Sequence, residues 1–252
     1  MGVDAQHGRM VMLEVSAVPV LTDNYVWLIH NAEIGETAAV DPSVADPVLE
    51  AVAARGWVIT QVLNTHWHPD HTGGNEAIKA ATDCSITAPD EARRVSQVDR
   101  VVSEGDRVTV AGAEAIVWHI PAHTAGHVAY YFEQEGMIFV GDTMFAMGCG
   151  RLFEGTAEEM YSNMQRIAAL PADVRIYCGH EYTLSNARFA AFVEPQNAAI
   201  ADRLTEVRAM RERGEITLPT TVAQERETNP FVRSTNVEEF ARRRAEKDSF
   251  RS

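Results

Sequence analysis

The sequence predicts an α/β fold, with a mixed α/β domain over residues 1–180 and a small helical domain over residues 181–252. Three observations predict it. Before residue 180, short β-branched and aromatic runs alternate with helical segments that carry their own start and stop signals. Beyond it, only helical patterns remain. Across the 252 residues, hydrophobic side chains make up 46 % and charged ones 23 %, the balance of a globular chain with a substantial core.

The elements follow in order. Residues 11–30, rich in Val, Leu, Ile, Tyr and Trp and broken at Leu21-Thr22-Asp23-Asn24, read as two strands joined by a turn. Ala38-Ala39-Val40 is a short strand ending at Asp41-Pro42. Asp46 reads as an N-cap with Pro47 at the first helical position, and Gly56 as the stop. Residues 58–64 are apolar and β-branched, a buried strand that runs straight into a histidine cluster. After Gly73-Gly74 comes a helix through Ala77, Ile78 and Ala81. Strands are expected at 85–88, 107–110, 115–120, 128–132, 137–140 and 175–178. Between the last two, Thr156 and Glu159 form a capping box, with Met160, Met164 and Ile167 at helical spacing behind it. Three signals mark the tail: a helix over 197–213 stopping at Gly214, a capping box at Thr221 and Gln224, and Asn236-Val237-Glu238-Glu239 opening an arginine-rich last helix.

Composition narrows the function. With 22 Lys+Arg against 36 Asp+Glu, the formal charge of −14 repels phosphate backbones and argues against nucleic acid. No apolar run is long enough to span a bilayer, and no obligate protein partner is evident. Residues 1–10 are polar, lack a signal-peptide pattern and read as a disordered leader. Cys84, Cys149 and Cys178 form neither a disulfide framework nor a C-x-x-C site and read as small buried residues. A reducing cytoplasm is therefore the expected location.

The chemistry sits in His66-Trp67-His68-Pro69-Asp70-His71. Imidazole nitrogen and carboxylate oxygen suit zinc and iron. On a strand of period 2, His66 and His68 project to one side and Trp67 to the other, and Pro69 ends the strand so that Asp70 and His71 address a second position. One metal needs three or four ligands, which the cluster alone supplies; His123, Asp142 and His180, each just past an expected strand, are further candidates. Gly141 and Gly179 precede Asp142 and His180 and let backbone approach a crowded centre.

Thr-His-x-His-x-Asp-His, Pro-Ala-His123-Thr-Ala-Gly-His, Gly-Asp142-Thr and Cys-Gly-His180-Glu-Tyr resemble the metallo-β-lactamase superfamily, and most closely its glyoxalase II (hydroxyacylglutathione hydrolase) family. The resemblance runs from Asp23-Asn24-Tyr25 to Lys247-Asp248-Ser249-Phe250. It implies an αββα sandwich followed by a helical substrate-binding domain. It implies two divalent metal ions, zinc first and iron or manganese as alternatives. His66, His68 and His123 would hold one ion, Asp70, His71 and His180 the other, with Asp142 bridging. A metal-bound hydroxide would attack the thioester, with Asp70 a ligand first and a proton-steering group second. The implied substrate is S-D-lactoylglutathione, cleaved to glutathione and D-lactate in the second step of methylglyoxal detoxification. Asp41 is implied to brace the histidine loop. His127 is read as a buried supporting histidine; His119, His30 and His7 as structural or exposed.

The flanks name the substrate. Gly148-Cys149-Gly150-Arg151-Leu152-Phe153-Glu154-Gly155 resembles the family's glutathione-site loop, and Tyr182 its glutathione-contacting tyrosine. Arg244 and Lys247 resemble the pair that holds the tripeptide's glycine carboxylate; three apart, they share a helical face. Arg151 stands where some relatives carry lysine; Phe153, where some carry tyrosine, lacks the hydroxyl. The bland alternatives are a core aromatic for Tyr182 and a solvated face for the arginine run. Competing functions are a persulfide dioxygenase-like mononuclear iron enzyme, a β-lactamase, a tRNA-processing nuclease and a non-catalytic metal module. The tail, the absence of an export signal, the charge and the complete ligand set argue against them in turn.

Overall fold

The structure, a computed structural model, describes residues 12–251. The polar leader and His7 lie outside the described residues.

In chain order, β1 (Glu14–Val20), β2 (Asn24–Asn31) and β3 (Glu36–Val40) form an antiparallel meander. Then come α1 (Asp46–Ala53), β4 (Ile59–Leu63), the single turn α2 (Pro69–Thr72), α3 (Asn75–Thr82), β5 (Ser85–Ala88) and β6 (Arg100–Val101). The first sheet has the order β1-β2-β3-β4-β5-β6, parallel from β3 onward. The next strands are β7 (Arg107–Val110), β8 (Ala113–His119), β9 (Val128–Phe132) and β10 (Met137–Gly141). A small hairpin follows, β11 (Met144–Phe145) with β12 (Gly148–Cys149), then α4 (Ala157–Ala168) and β13 (Arg175–Cys178). The tail holds α5 (Thr183–Val193), α6 (Ala198–Glu212), β14 (Thr220–Thr221), α7 (Val222–Thr228) and α8 (Val237–Ser249). The second sheet has the order β14-β13-β10-β9-β8-β7.

Strand periodicity builds the layers. In β2, Tyr25, Trp27 and Ile29 pack inward with Val108, Val117, Tyr130 and Phe139 of the second sheet. The alternate residues Val26 and Leu28 face outward and are buried with Val48, Val52 and Ile78 of α1 and α3. On the far side, Met160, Met164 and Ile167 of α4 join the main core with Ile138 and Ile176. The result is the expected αββα sandwich, extended by the C-terminal helices.

Some expectations shift. The first helix starts at Asp46, with Ala45 as its N-cap, so Asp46 and Pro47 both lie in the first turn and no side chain caps it. The capping boxes at Thr156 and Thr221 form as expected, and the Asn236 side chain accepts from the Glu239 N–H. The fourth strand ends at Leu63, so His66 lies on a bend beyond it, His68 is the N-cap of α2, and the period-2 explanation of their convergence fails. Helix α5 lies outside the elements expected from the sequence: its buried face is Thr183, Asn186, Ala187, Phe189 and Ala190, where one aromatic and two alanines are mixed with two polar residues and no broad apolar stripe forms.

Leu28 is fully buried. Leu28→Ala should cost about 2–5 kcal/mol, whereas Thr156→Ala, which removes a cap, should cost about 1 kcal/mol. Urea unfolding midpoints test the order; a smaller cost for Leu28→Ala would contradict the packing of α1 and α3 on the first sheet.

Candidate active site

The site gathers where β4, β8, β10 and β13 end, at Leu63, His119, Gly141 and Cys178. Past Leu63 the chain is bent by Asp41, which stands just after β3 at a left-handed φ of 52°. Its Oδ1 accepts the Thr65 N–H and its Oδ2 accepts the Thr65 hydroxyl, both at 2.7 Å. The same Oδ2 lies 3.1 Å from His71 Nδ1. One carboxylate thus ties both ends of the histidine segment, while the Asn64 amide donates to the His71 carbonyl at 2.8 Å. Pro69 opens the turn α2, which carries His71 back toward His66. The two sheets are stitched beside the site by Tyr25 N–H to Gly179 O and Glu181 N–H to Asp23 O, each 2.8 Å.

Two groups of ligand-type atoms result. His68 Nδ1 lies 3.0 Å from both His66 Nε2 and His123 Nε2. His71 Nε2 lies 3.3 Å from His180 Nε2, and Asp70 Oδ2 lies 3.6 and 3.4 Å from those two atoms. Asp142 stands between the groups: Oδ2 is 3.4 Å from His123 Nε2 and from His180 Nε2, and Oδ1 is 3.4 Å from His71 Nε2. All the expected ligands are therefore together.

The outward nitrogens are spoken for. His123 Nδ1 donates to the Arg151 carbonyl at 3.0 Å, and His180 Nδ1 to Asp23 at 2.8 Å. His71 Nδ1 donates to Asp41, and His66 Nδ1 to Thr65 Oγ1, whose own proton goes to Asp41. With Nδ1 carrying the proton, the neutral His66 and His123 rings turn Nε2 lone pairs to the centre, and His71 and His180 present Nε2 to the same centre. Asp142 Oδ1 is buried without a hydrogen-bond partner. Converging lone pairs and an orphaned carboxylate oxygen fit a pair of divalent cations.

The electrostatics divide in the same way. Burial, with the neighbouring imidazoles, holds His66 well below the usual histidine range, and burial lowers His68 and His123. Those rings are neutral, the form that ligates. Burial also opposes charge on His180, but Asp142, Asp70 and Asp23 overcome it and push it up to about 11. His71 is raised against its burial by Asp142, Asp41 and Asp70. Burial works against ionised Asp142 and Asp70, yet the imidazoles around them keep both far below the carboxylate range. Protons on His71 and His180 thus balance carboxylate charge that a cation would otherwise balance.

Asp41, His66 and His71 also come close enough to suggest a third group. Asp41 already accepts three hydrogen bonds, which tie the two ends of the histidine segment and occupy both of its carboxylate oxygens. His127 stacks on His66 at 4.6 Å, and its Nε2 accepts the Asp142 N–H at 3.2 Å. It supports the centre without pointing into it. His30 is buried against Trp57 and Thr37, and His119 is exposed.

A cavity of about 420 Å³ opens over Asp142, His68, His123 and His180. Tyr182 forms one wall, its ring flat on His180 at 4.6 Å. Arg244 is 7 % exposed; Nη1 donates to the Cys149 carbonyl at 2.6 Å, Nη2 to Asp248 at 2.9 Å, and Nε has no partner. Lys247 Nζ donates to Ser185 O and Oγ at 3.1 Å, and burial with the nearby Arg244 brings its ammonium down to about 8. The solvated-face alternative therefore describes only Arg242; Arg243 is buried on Glu194 and Glu239. Phe153, 60 % exposed, stands at the rim with its ring 5.2 Å from His123, and Arg151 lies beside it with Nε 3.7 Å from Asp248.

Sequence reasoning missed Asp23 as the group that orients His180, and Asn24, whose amide holds Asp70 Oδ2 at 3.1 Å. In the sequence they mark a turn and the start of the family resemblance, and no local spacing links them to partners so far along the chain. Ser185 and Asn186 line the cavity from the unrecognised helix α5.

Comparison with known proteins agrees with this geometry. Residues 26–180 match the metallo-β-lactamase superfamily model, and residues 181–250 match the model described as the hydroxyacylglutathione hydrolase C-terminus. The hydroxyacylglutathione hydrolase of Methylococcus capsulatus is 47 % identical, over 95 % of this chain and 100 % of its own. That of Rhodospirillum rubrum is 45 % identical, over 96 % and 100 %. Among solved structures, ETHE1 from Myxococcus xanthus superposes with a TM-score of 0.72 at 24 % identity, covering 95 % of this chain and 92 % of that one, a likeness of fold. The fold and the site define a metal-dependent hydrolase of the metallo-β-lactamase type. Within that superfamily, the chain belongs to the hydroxyacylglutathione hydrolase family.

A Cβ on Gly179 would lie 2.6 Å from His71 Cε1 and 2.8 Å from Asp142 Oδ1. Gly179→Ala should therefore lower metal content while far-ultraviolet circular dichroism stays native. Full metal content in the variant would show that the crowding at Gly179 is not required.

Proposed function

We propose that this chain hydrolyses S-(2-hydroxyacyl)glutathione, S-D-lactoylglutathione foremost, to glutathione and a 2-hydroxy acid. Its substrate partner is thus a small glutathione thioester. The observation that carries the reading is that one cavity joins the His/Asp groups to the cationic pair Arg244 and Lys247. Metal groups alone fit many hydrolytic reactions; a buried guanidinium and an ammonium beside them fit a substrate with a carboxylate remote from the bond that breaks. In our reading residues 1–180 carry the chemistry, and residues 181–252 carry substrate binding.

His66, His68 and His123 would hold one cation and Asp70, His71 and His180 the other, with Asp142 shared. Two divalent ions, zinc first with iron or manganese as alternatives, supply a nucleophile ionised near neutral pH and Lewis-acid stabilisation of the developing oxyanion. The chain's own residues do the rest. Arg244 and Lys247 take the glycine carboxylate, and Tyr182, Arg151 and Phe153 bound the tripeptide. Asp70 is ionised and half-exposed at the cavity wall, so it accepts rather than donates a proton. No strong general acid is needed, because a thiolate with a pKa of about 8.5 leaves readily. Among the described residues no helix is long and apolar enough to cross a membrane.

Three outcomes follow. The purified protein should hydrolyse S-D-lactoylglutathione and carry about two metal ions per chain; full activity with a single ion would remove the dinuclear reading. Asp142→Ala should lose both ions, and His123→Ala mainly one; equal losses in the two variants would end the case for Asp142 as the bridge. The double variant Arg244→Ala/Lys247→Ala should lose about tenfold or more in kcat/KM, mostly through KM, with metal content intact. An equal loss on a small thioester without the tripeptide would count against a binding role.

A further inference from the structure

The hairpin formed by β11 and β12 touches both halves of the cavity. Phe145 packs its ring on Tyr182 at 5.1 Å and on His180 at 5.9 Å. At the other end, the Cys149 carbonyl seats the Arg244 guanidinium at 2.6 Å. The next residue, Gly150, donates its N–H to Thr143 O at 3.1 Å, and a Cβ there would collide with the Asp142 carbonyl. A shift of this hairpin therefore moves an aromatic wall and the anchor of a cationic group together.

Its turn is not self-supporting. Met147 sits at φ 57°, the left-handed region that a side chain disfavours. The turn's polar groups are met from outside. The Asn229 amide donates to Gly148 O at 2.9 Å and to Phe145 O at 3.3 Å. Glu225 Oε2 accepts the Met147 N–H at 2.8 Å and the Asn229 amide at 2.8 Å. Glu225 Oε1 is in turn held by Arg203 Nη2 at 2.8 Å and by the Thr220 hydroxyl at 2.6 Å. Asn229 and Glu225 are fully buried and Arg203 nearly so. None of the three lines the cavity.

We propose that the buried Arg203–Glu225–Asn229 knot is a specificity-positioning device, with Asn229 setting the hairpin that seats Arg244 and Phe145 for the tripeptide end of the substrate. This rests on the glutathione thioester reading above. Asn229 acts through the hairpin backbone, so its loss loosens the seat of the tripeptide and leaves the His/Asp groups in place. A buried knot that only stabilised the fold would lower thermal stability without separating one substrate from another.

The test compares wild type, Asn229→Ala and Asn229→Ser on S-D-lactoylglutathione and on a small lactoyl thioester lacking the tripeptide, with metal content and melting temperature read alongside. The serine variant keeps a side-chain oxygen for the Phe231 N–H, which Asn229 Oδ1 accepts at 3.0 Å, and serves if the alanine variant does not fold. The expected result is a rise in KM for the glutathione thioester of about tenfold, kcat within about twofold, unchanged kinetics on the small thioester and full metal content. A lowered melting temperature with unchanged KM would overturn the proposal, as would an equal loss on both substrates or a loss of metal. Failure of wild type to turn over the glutathione thioester would instead overturn the underlying functional reading.

Discussion

Asp142 is a buried carboxylate surrounded by imidazoles, and much of the structure follows from that arrangement. One of its oxygens has no hydrogen-bond partner, and both lie 3.4 Å from inward-facing histidine nitrogens. A carboxylate so placed is costly unless positive charge sits beside it. The histidines cannot all supply that charge, because burial keeps His66, His68 and His123 neutral. The outward nitrogens of His66, His71, His123 and His180 are each tied to an acceptor, so every Nε2 is aimed inward, as a lone pair on the neutral His66 and His123. This is the polarity of a cation site, built from the outer partners inward.

The sandwich delivers that polarity. Strands β4, β8, β10 and β13 end at one edge, and the ligand-type residues follow within a few positions. Adjacency of β10 and β13 puts Asp142 and His180 side by side, and Gly141 and Gly179 bond to each other across it at 3.1 Å. The first sheet brings Asp41 and the histidine segment, and the β1–β2 turn brings Asp23 and Asn24. The C-terminal helices complete the cavity by placing Arg244, Lys247 and Ser185 opposite the same edge.

The legible parts of this site are local in sequence. Four of the ligand-type residues lie within one short segment, and His123, Asp142 and His180 follow strands whose β-branched runs are plain. Arg244 and Lys247 declare a shared face by their spacing alone. The illegible parts depend on long-range partners. Asp23 looks like any turn aspartate until β13 lies beside it. The convergence of His66 and His68 looks like strand alternation, yet it comes from a segment beyond the strand held by Asp41, so the residues meet through a different geometry from the one the spacing suggests. Helix α5 escapes because its buried face mixes Phe189 and two alanines with Thr183 and Asn186, so no continuous apolar stripe marks it in the sequence.

The most direct measurement is metal-edge anomalous diffraction from crystals of the metal-loaded protein. The account predicts two anomalous peaks. One should be within coordination distance of His66, His68 and His123, the other of Asp70, His71 and His180, with Asp142 reaching both. A single fully occupied peak in active protein, or two peaks with Asp142 bound to only one, would contradict it.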